Sequence, residues 1–268
     1  MSTMSAVDDD AEQPDDKPKK GLLHELWEIV KTVVFALLIA FVLRVFLFQP
    51  FTIPSASMEP TLLEGDYIIV SKWPYGYSRH SLALPWSPHI FEGRIGGGPV
   101  ERGDIVVFRL PRDDHTDYIK RVVGLPGDRI QVRGGLLYIN DRPVSRQPMS
   151  PETLQTAYGA REALRWRETL PGPGGATFTS YDFGPDGDLD NTGVYVVPAR
   201  HYFMMGDSRD NSVDSRVPPE SQGVGFVPEE NIVGRADLIL LSWEPGASLL
   251  DIPSWFHVRP SRFFTNLN

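Results

Sequence analysis

The chain of 268 residues contains no cysteine. That excludes disulfides, cysteine zinc sites and thiol catalysis, and it leaves the compartment to be read from topology. Gly-x-Ser-x-Gly, Ser-x-x-Lys and His-Glu-x-x-His are all absent, so the common serine-hydrolase and zincin signatures are missing. There is no Walker A loop and no dinucleotide-binding glycine loop. Positive charge is short: 26 Lys and Arg against 35 Asp and Glu give a formal net charge of -9, which argues against nucleic acid as a partner. Helical periodicity is scarce past residue 50, and no internal repeat is visible. With 24 Gly and 24 Pro, the chain favours strands and turns.

What is present begins with a polar tail. Residues 1–20 are acidic, then basic at Lys17, Lys19 and Lys20, with no apolar face, and are read as a disordered cytoplasmic tail. A helix is predicted over 21–49. Its uncharged run, 32–43, is 12 residues long, which by itself also fits a buried core helix or the apolar part of a cleaved signal peptide. Residues 29–48 together make 20 residues, a helix of about 30 Å, the thickness of a bilayer's hydrocarbon core. The two charges within it, Lys31 and Arg44, lie near the ends, where long side chains reach the headgroups. A membrane anchor is therefore predicted over about 29–48, with a lipid bilayer as a partner. The basic N-terminal flank places the N-terminus in the cytoplasm and everything after Pro50 outside. A signal-peptide cut near Ser55–Ser57 would split the most unusual stretch of the chain.

Beyond Pro50, strand patterns bounded by turn residues occur at 67–70, 105–108, 117–123, 129–132, 136–140, 194–197, 202–205 and 236–243. Residues 73–99 read as a long loop rich in aromatics. Residues 141–198 change character, with many Gly, Pro, Asp and Thr, and 151–168 reads as a short polar helix inside that region. The predicted fold class is mainly β. Residues 50–140 and 199–268 make the strand-bearing core, 141–198 an insertion of lower core content, and one N-terminal transmembrane α-helix precedes them.

The chemistry centres on 53–62, where Pro54 and Pro60 bracket Ser55 and Ser57. In an extended chain these two hydroxyls point to the same side. A Pro-rich turn with serines bonded to nearby backbone is the plain alternative. None of the six histidines has a compelling context as a base. Lysine is the other choice, because burial lowers its pKa readily. Lys120 sits in a strand pattern beside Ile119, with Arg121 expected on the opposite, solvent face; an ordinary edge-strand lysine is the alternative. The polar run 206–216 reads either as a solvated loop or as an ion-pair network with Ser212 as a neutral hydroxyl able to orient an amine.

Four boxes in order carry a likeness: 55–61 (SASMEPT), 102–108 (RGDIVVF), 117–128 (DYIKRVVGLPGD) and 206–216 (GDSRDNSVDSR). Together they resemble the bacterial type I signal peptidases, or leader peptidases. The resemblance implies a serine–lysine dyad endopeptidase that removes signal peptides from exported preproteins, held in the inner membrane with its catalytic domain on the periplasmic side; it also implies an antiparallel β-sheet catalytic core (50–140 and 199–268) with an inserted β-rich subdomain (141–198). It implies Ser57 as nucleophile, Lys120 as general base, Ser55 in the oxyanion hole, and Ser212, Asp214 and Arg216 as supporting residues. Phe51, Ile53 and Ile119 resemble the apolar lining for the small residues before the cut. No cofactor or metal is implied; the export machinery is a possible further partner. This chain has one apolar helix where some members have two, and it lacks the disulfide found in the insertion of some. Another Ser–Lys protease, of the self-cleaving repressor type, and a non-catalytic anchored β-domain that binds exported chains are the competing readings.

Overall fold

The computed structural model describes residues 21–82, 93–156, 159–172, 175–184, 187–245, 254 and 256–267. The chain divides into two units between Phe41 and Val42. The first contains nearly all of helix α1, Leu22–Val42. Leu23, Leu26, Trp27, Ile29, Phe35, Leu37 and Phe41 are all exposed along it. An exposed apolar helix needs a non-aqueous surround. Residues Leu23–Leu47 are long and apolar enough to cross a membrane, and they fit a single-pass anchor.

The second unit opens with a π-helical turn, Leu43–Leu47. The strands then follow as β1 Phe48–Thr52, β2 Asp66–Ser71, β3 Tyr77–Ser78, β4 Arg94–Ile95, β5 Ile105–Arg109, β6 Asp117–Gly124, β7 Arg129–Arg133, β8 Leu136–Ile139 and β9 Arg142–Pro143. Next come β10 Ser145–Thr156, β11 Gly159–Thr169, β12 Thr177–Asp182, β13 Tyr195–Val196, β14 His201–Met205, β15 Val227–Pro228, β16 Ile232–Ser242 and β17 Thr265–Asn266. Among the described residues the main sheet runs β1-β2-β16-β5-β6-β14-β15, with β17 added to β16. Its pairings are antiparallel throughout. The fold is mainly β, as the strand-and-turn composition predicts.

The helix end is closed by side chains from the sheet. Lys72, fully buried, donates from Nζ to the carbonyls of Arg44 (2.9 Å) and Val45 (3.3 Å). Its backbone N–H donates to Leu47 O at 3.0 Å, and Tyr77 Oη donates to Phe46 O at 2.7 Å. Four successive carbonyls that the turn leaves without helical partners are thereby satisfied. Burial, then the Arg44 charge, pushes the Lys72 amine down to about 8.

The described residues of 151–168, namely 151–156 and 159–168, form no helix. They belong to β10 and β11, a long hairpin that pairs onward with β12. The Ala, Glu, Leu and Arg there favour a helix locally, but pairing overrides propensity. Trp166 stacks under the Arg146 guanidinium at 4.1 Å, and Tyr181 Oη donates to Glu152 Oε2 at 2.9 Å. Residues 145–182 thus carry a three-stranded sheet of their own, while β13 pairs with β7 in a separate four-stranded sheet. The 73–99 loop contains the short pair β3–β4, and its residues 83–92 lie outside the described residues.

Candidate active site

Residues 53–66 form a loop whose mouth is laced shut. Ile53 N–H donates to Asp66 O at 2.9 Å, and Gly65 N–H to Ile53 O at 3.0 Å. Inside the loop the backbone turns through a single 3-10 turn, Ala56–Met58. The chain through the two serines is therefore not fully extended. Ser55 has an extended backbone and Ser57 lies in the turn, yet the two Oγ atoms meet at 3.3 Å. Met58 and Leu62 are fully buried and anchor the loop to a core of Ile53, Ile68, Val70, Ile105, Val107 and Ile239. Ser57 N–H falls in the first turn, where N–H groups lack a helical acceptor and are available to an incoming anion.

Strand β6 delivers the amine. Lys120 lies opposite Val106 of β5, is 3% exposed, and places Nζ 2.6 Å from Ser57 Oγ. Nζ also donates to Ile119 O at 3.0 Å and lies 5.5 Å from the centre of the Tyr118 ring. Burial pushes the Lys120 amine down to about 8, with the Asp214 and Asp207 carboxylates pulling the other way. A buried amine of that acidity is largely neutral in mildly alkaline water. In contact with a serine hydroxyl, it can accept that hydroxyl's proton.

The structure departs from the alternation expected along this strand. Arg121 does not face solvent: it is 4% exposed, and so is its whole surrounding run from Lys120 to Gly124 buried. The sheet is covered on both faces there, so neighbouring residues of opposite pleat are both inside. Arg121 is held by Asp207 through Nε (2.8 Å) and Nη2 (2.6 Å), and its Nη1 donates to Gly103 O at 2.8 Å. Its guanidinium lies 4.0 Å from the centre of the Phe178 ring. Asp207 also accepts from Thr61 Oγ1 at 2.5 Å, and Ser208 N–H donates to Ser57 O at 3.2 Å. The 53–66 loop, β6 and the 206–216 run are knitted together at this point.

Asp214 and Arg216 form another buried pair, bonded from Nε at 2.8 Å and from Nη2 at 2.9 Å. Burial alone would raise the Asp214 carboxyl; the Arg216 guanidinium and the Gly206 N–H hold it below its ordinary value. Ser212 Oγ is buried and has no hydrogen-bond partner among the described residues, and Lys120 Nζ bonds Ser57 and Ile119 instead. Gly206 separates Ser212 from Ser57: a Cβ there would lie 2.3 Å from Ser212 Oγ and 2.4 Å from Ser57 O. Only glycine permits that approach.

The structure also gathers the apolar residues. Ile53 belongs to the core beneath the loop, and Phe51 and Ile119 are partly buried against the same cluster. Among the described residues, 117–120 of β6 have no strand partner on the β14 side, where β14 pairs with Arg121, Val122 and Gly124. Thr61, Arg121 and Asp207 were not singled out as a unit from the sequence, although a charged pair of residues inside a hydrophobic strand implies a buried counter-ion. Among the described residues no cluster of His, Asp or Glu could hold a metal ion.

A family model described as signal peptidase, peptidase S26, matches residues 26–243. Signal peptidase I of Rickettsia prowazekii is 41% identical over 249 residues, covering 87% of this chain and 90% of that protein. Signal peptidase I of Rickettsia typhi is 40% identical over 249 residues, with the same coverage of each. Among solved structures, a signal peptidase I from Enterococcus faecalis is 26% identical with a TM-score of 0.30, covering 52% of this chain and 97% of that one.

Proposed function

The chain belongs to the signal peptidase family, peptidase S26, serine hydrolases that cleave signal peptides, and on that premise we propose that it works through a Ser57–Lys120 dyad at a membrane surface. The observation that carries this reading is the 2.6 Å approach of a buried, acidified amine to a serine hydroxyl. Neutral Lys120 accepts the Ser57 proton as Oγ adds to the scissile carbonyl. The oxyanion is received by Ser57 N–H and by the Ser55 hydroxyl, which swings from its present contact with Ser57 Oγ. Collapse breaks the C–N bond, and the ammonium of Lys120 returns its proton to the leaving amine. Lys120, neutral again, takes a proton from water, which attacks the acyl-enzyme and frees Ser57.

The remaining residues take supporting roles in this proposal. The orphan Ser212 Oγ is available to orient the Lys120 amine, and the Asp214–Arg216 pair stiffens the run that carries it. The open edge of β6 at 117–120 suits an extended peptide added as a strand. Ile119, Phe51 and Ile53 line the small pockets beside it. Residues 50–140 and 199–268 form the catalytic core, 141–198 the insertion. The helix spans the bilayer with its N-terminus inside, so that preproteins from the export machinery meet the site at the outer face. Cleavage of a synthetic preprotein by the wild type and by Ser57→Ala tests the reading: the variant is expected to be inactive, and wild-type turnover by Ser57→Ala overturns it. Protease added to intact spheroplasts should digest the chain beyond Pro50; protection of that domain overturns the topology.

A further inference from the structure

The aromatic tail beyond residue 243 lies outside the stretch matched by the family model. It nevertheless returns to the nucleophile loop. Val258 bridges to Trp243, Glu244 N–H donates to His257 O at 2.9 Å, and β17 pairs with β16 through Asn266 opposite Leu238 and Thr265 opposite Ile239. Leu267 then packs on the core cluster that holds Ile53, Met58 and Leu62.

Two arginines of this tail reach the loop, Arg259 at its closing end and Arg262 as far in as Thr61. Arg262 grips the fully buried Asp66 through Nη2 (2.6 Å) and Nε (3.1 Å), and the same Nη2 donates to Thr61 O at 2.9 Å. Asp66 also accepts from Leu63 N–H at 2.8 Å and from Ser242 Oγ at 2.6 Å. Arg259 donates to Glu64 O and Trp243 O. Gly65 makes the close passage possible: its φ is +86°, and a Cβ there would lie 2.3 Å from Trp243 O. Thr61 is thus clasped from two sides, by Asp207 at its hydroxyl and by Arg262 at its carbonyl.

We propose that residues 256–267 act as a strap across the nucleophile loop, and that Arg262 is a positioning residue for Ser57. The inference rests on Ser57 being the nucleophile. Arg262 touches neither Lys120 nor the substrate edge of β6, so its loss leaves the base and the binding strand in place. What changes is the setting of the loop that carries Oγ. Misalignment of that kind lowers the chemical rate far more than it weakens binding.

The test uses the full chain in detergent micelles and an acylating β-lactam as probe. Ser57 Oγ adds to the lactam carbonyl, the ring C–N bond opens, and the serine proton passes through Lys120 to the ring nitrogen. Mass spectrometry of the adduct gives both the number of reactive sites and the rate constant. For Arg262→Ala the expected result is a full complement of sites acylated about 10- to 100-fold more slowly. Preprotein cleavage should show lower kcat, little change in KM and an acid limb at the wild-type pH. Arg262→Lys should lie between the two, since one ammonium cannot serve Asp66 and Thr61 O as the planar fork does. It also stands in if Arg262→Ala fails to fold. A rate constant equal to wild type in either folded variant overturns the strap, as does a loss confined to the number of sites. A wild-type chain that is not acylated at Ser57 instead overturns the dyad reading beneath it.

Discussion

Replacing Lys120 by Met should abolish cleavage and, at neutral pH, make the protein more stable. The amine is 3% exposed, and burial takes its pKa from 10.5 down to about 8. That displacement means that holding Lys120 charged inside the fold costs about 3 kcal/mol relative to the unfolded chain. The sign follows from proton counts. Between about 8 and 10.5 the unfolded chain keeps a proton on this lysine that the folded chain has lost, so stability rises with pH across that window. Below about 8 both states are protonated and the full penalty stands. Met fills similar space without the charge, so the penalty disappears in the variant. The stability of Lys120→Met minus that of wild type should be largest near pH 7, up to about 3 kcal/mol, and should shrink towards pH 10.5. The lost bond to Ser57 reduces the gain by about 1 kcal/mol. Lys72 titrates in the same window, but it is present in both proteins and cancels in the difference.

The activity arm uses the same titration. kcat/KM reports the free enzyme, so its acid limb should fall at about 8, and at pH 7 about a tenth of the plateau rate should remain. Urea unfolding in detergent at several pH values, alongside preprotein cleavage, measures both arms. An acid limb near the histidine range, or a stability difference flat between pH 7 and 10.5, would refute the buried neutral amine. Turnover by Lys120→Arg at the wild-type rate would do the same, because guanidinium stays protonated.

Arg121→Met strands the buried Asp207 carboxylate and should destabilise the fold by about 3–5 kcal/mol, read as a lower urea midpoint. Ser55→Ala should lower kcat by about 10²–10³ with little change in KM, while Ser55→Thr, which keeps the hydroxyl, should retain more; full activity of the alanine variant removes Ser55 from the site. Gly206→Ala forces Ser212 and Ser57 apart and should slow acylation of Ser57 in a folded protein. Lys72→Met relieves a similar burial penalty but leaves the carbonyls of Arg44 and Val45 unpaired, so its urea midpoint at pH 7 should lie below that of Lys120→Met, and the acid limb of kcat/KM should not move.

Strands were legible wherever β-branched or aromatic runs are bounded by Gly, Pro or Asp, as at β2, β5, β6 and β14. The β10–β11 hairpin was not, because its local composition is that of a helix and its strand character comes from β12 alongside. Arg121 was misplaced for a related reason. Alternation predicts faces only where one face meets water, and β6 is covered on both sides from Lys120 onward.

The candidate site depends on contacts that no local pattern encodes. Ser57 and Lys120 are 63 residues apart, and without the family likeness nothing in their spacing joins them. Arg262 and Asp66 are 196 residues apart and share no motif at all. Yet Asp66 carried a usable signal. Read as a turn residue after Gly65, it is also the first residue of a strand with no exposed position. A carboxylate at such a position must find cations and donors or lose its charge. The chain is short of positive charge overall but places two arginines, Arg259 and Arg262, in an otherwise aromatic tail. Those are the two that converge on Asp66. Charges out of keeping with their neighbours were therefore the best sequence-level pointers to the long-range ties. The same reasoning joins Arg121 to Asp207 and Arg216 to Asp214. In each case the pairing fixes a segment that borders Ser57 and Lys120, and Lys120, like Lys72, is a buried amine with no salt bridge among the described residues, the one of the two that meets a serine hydroxyl.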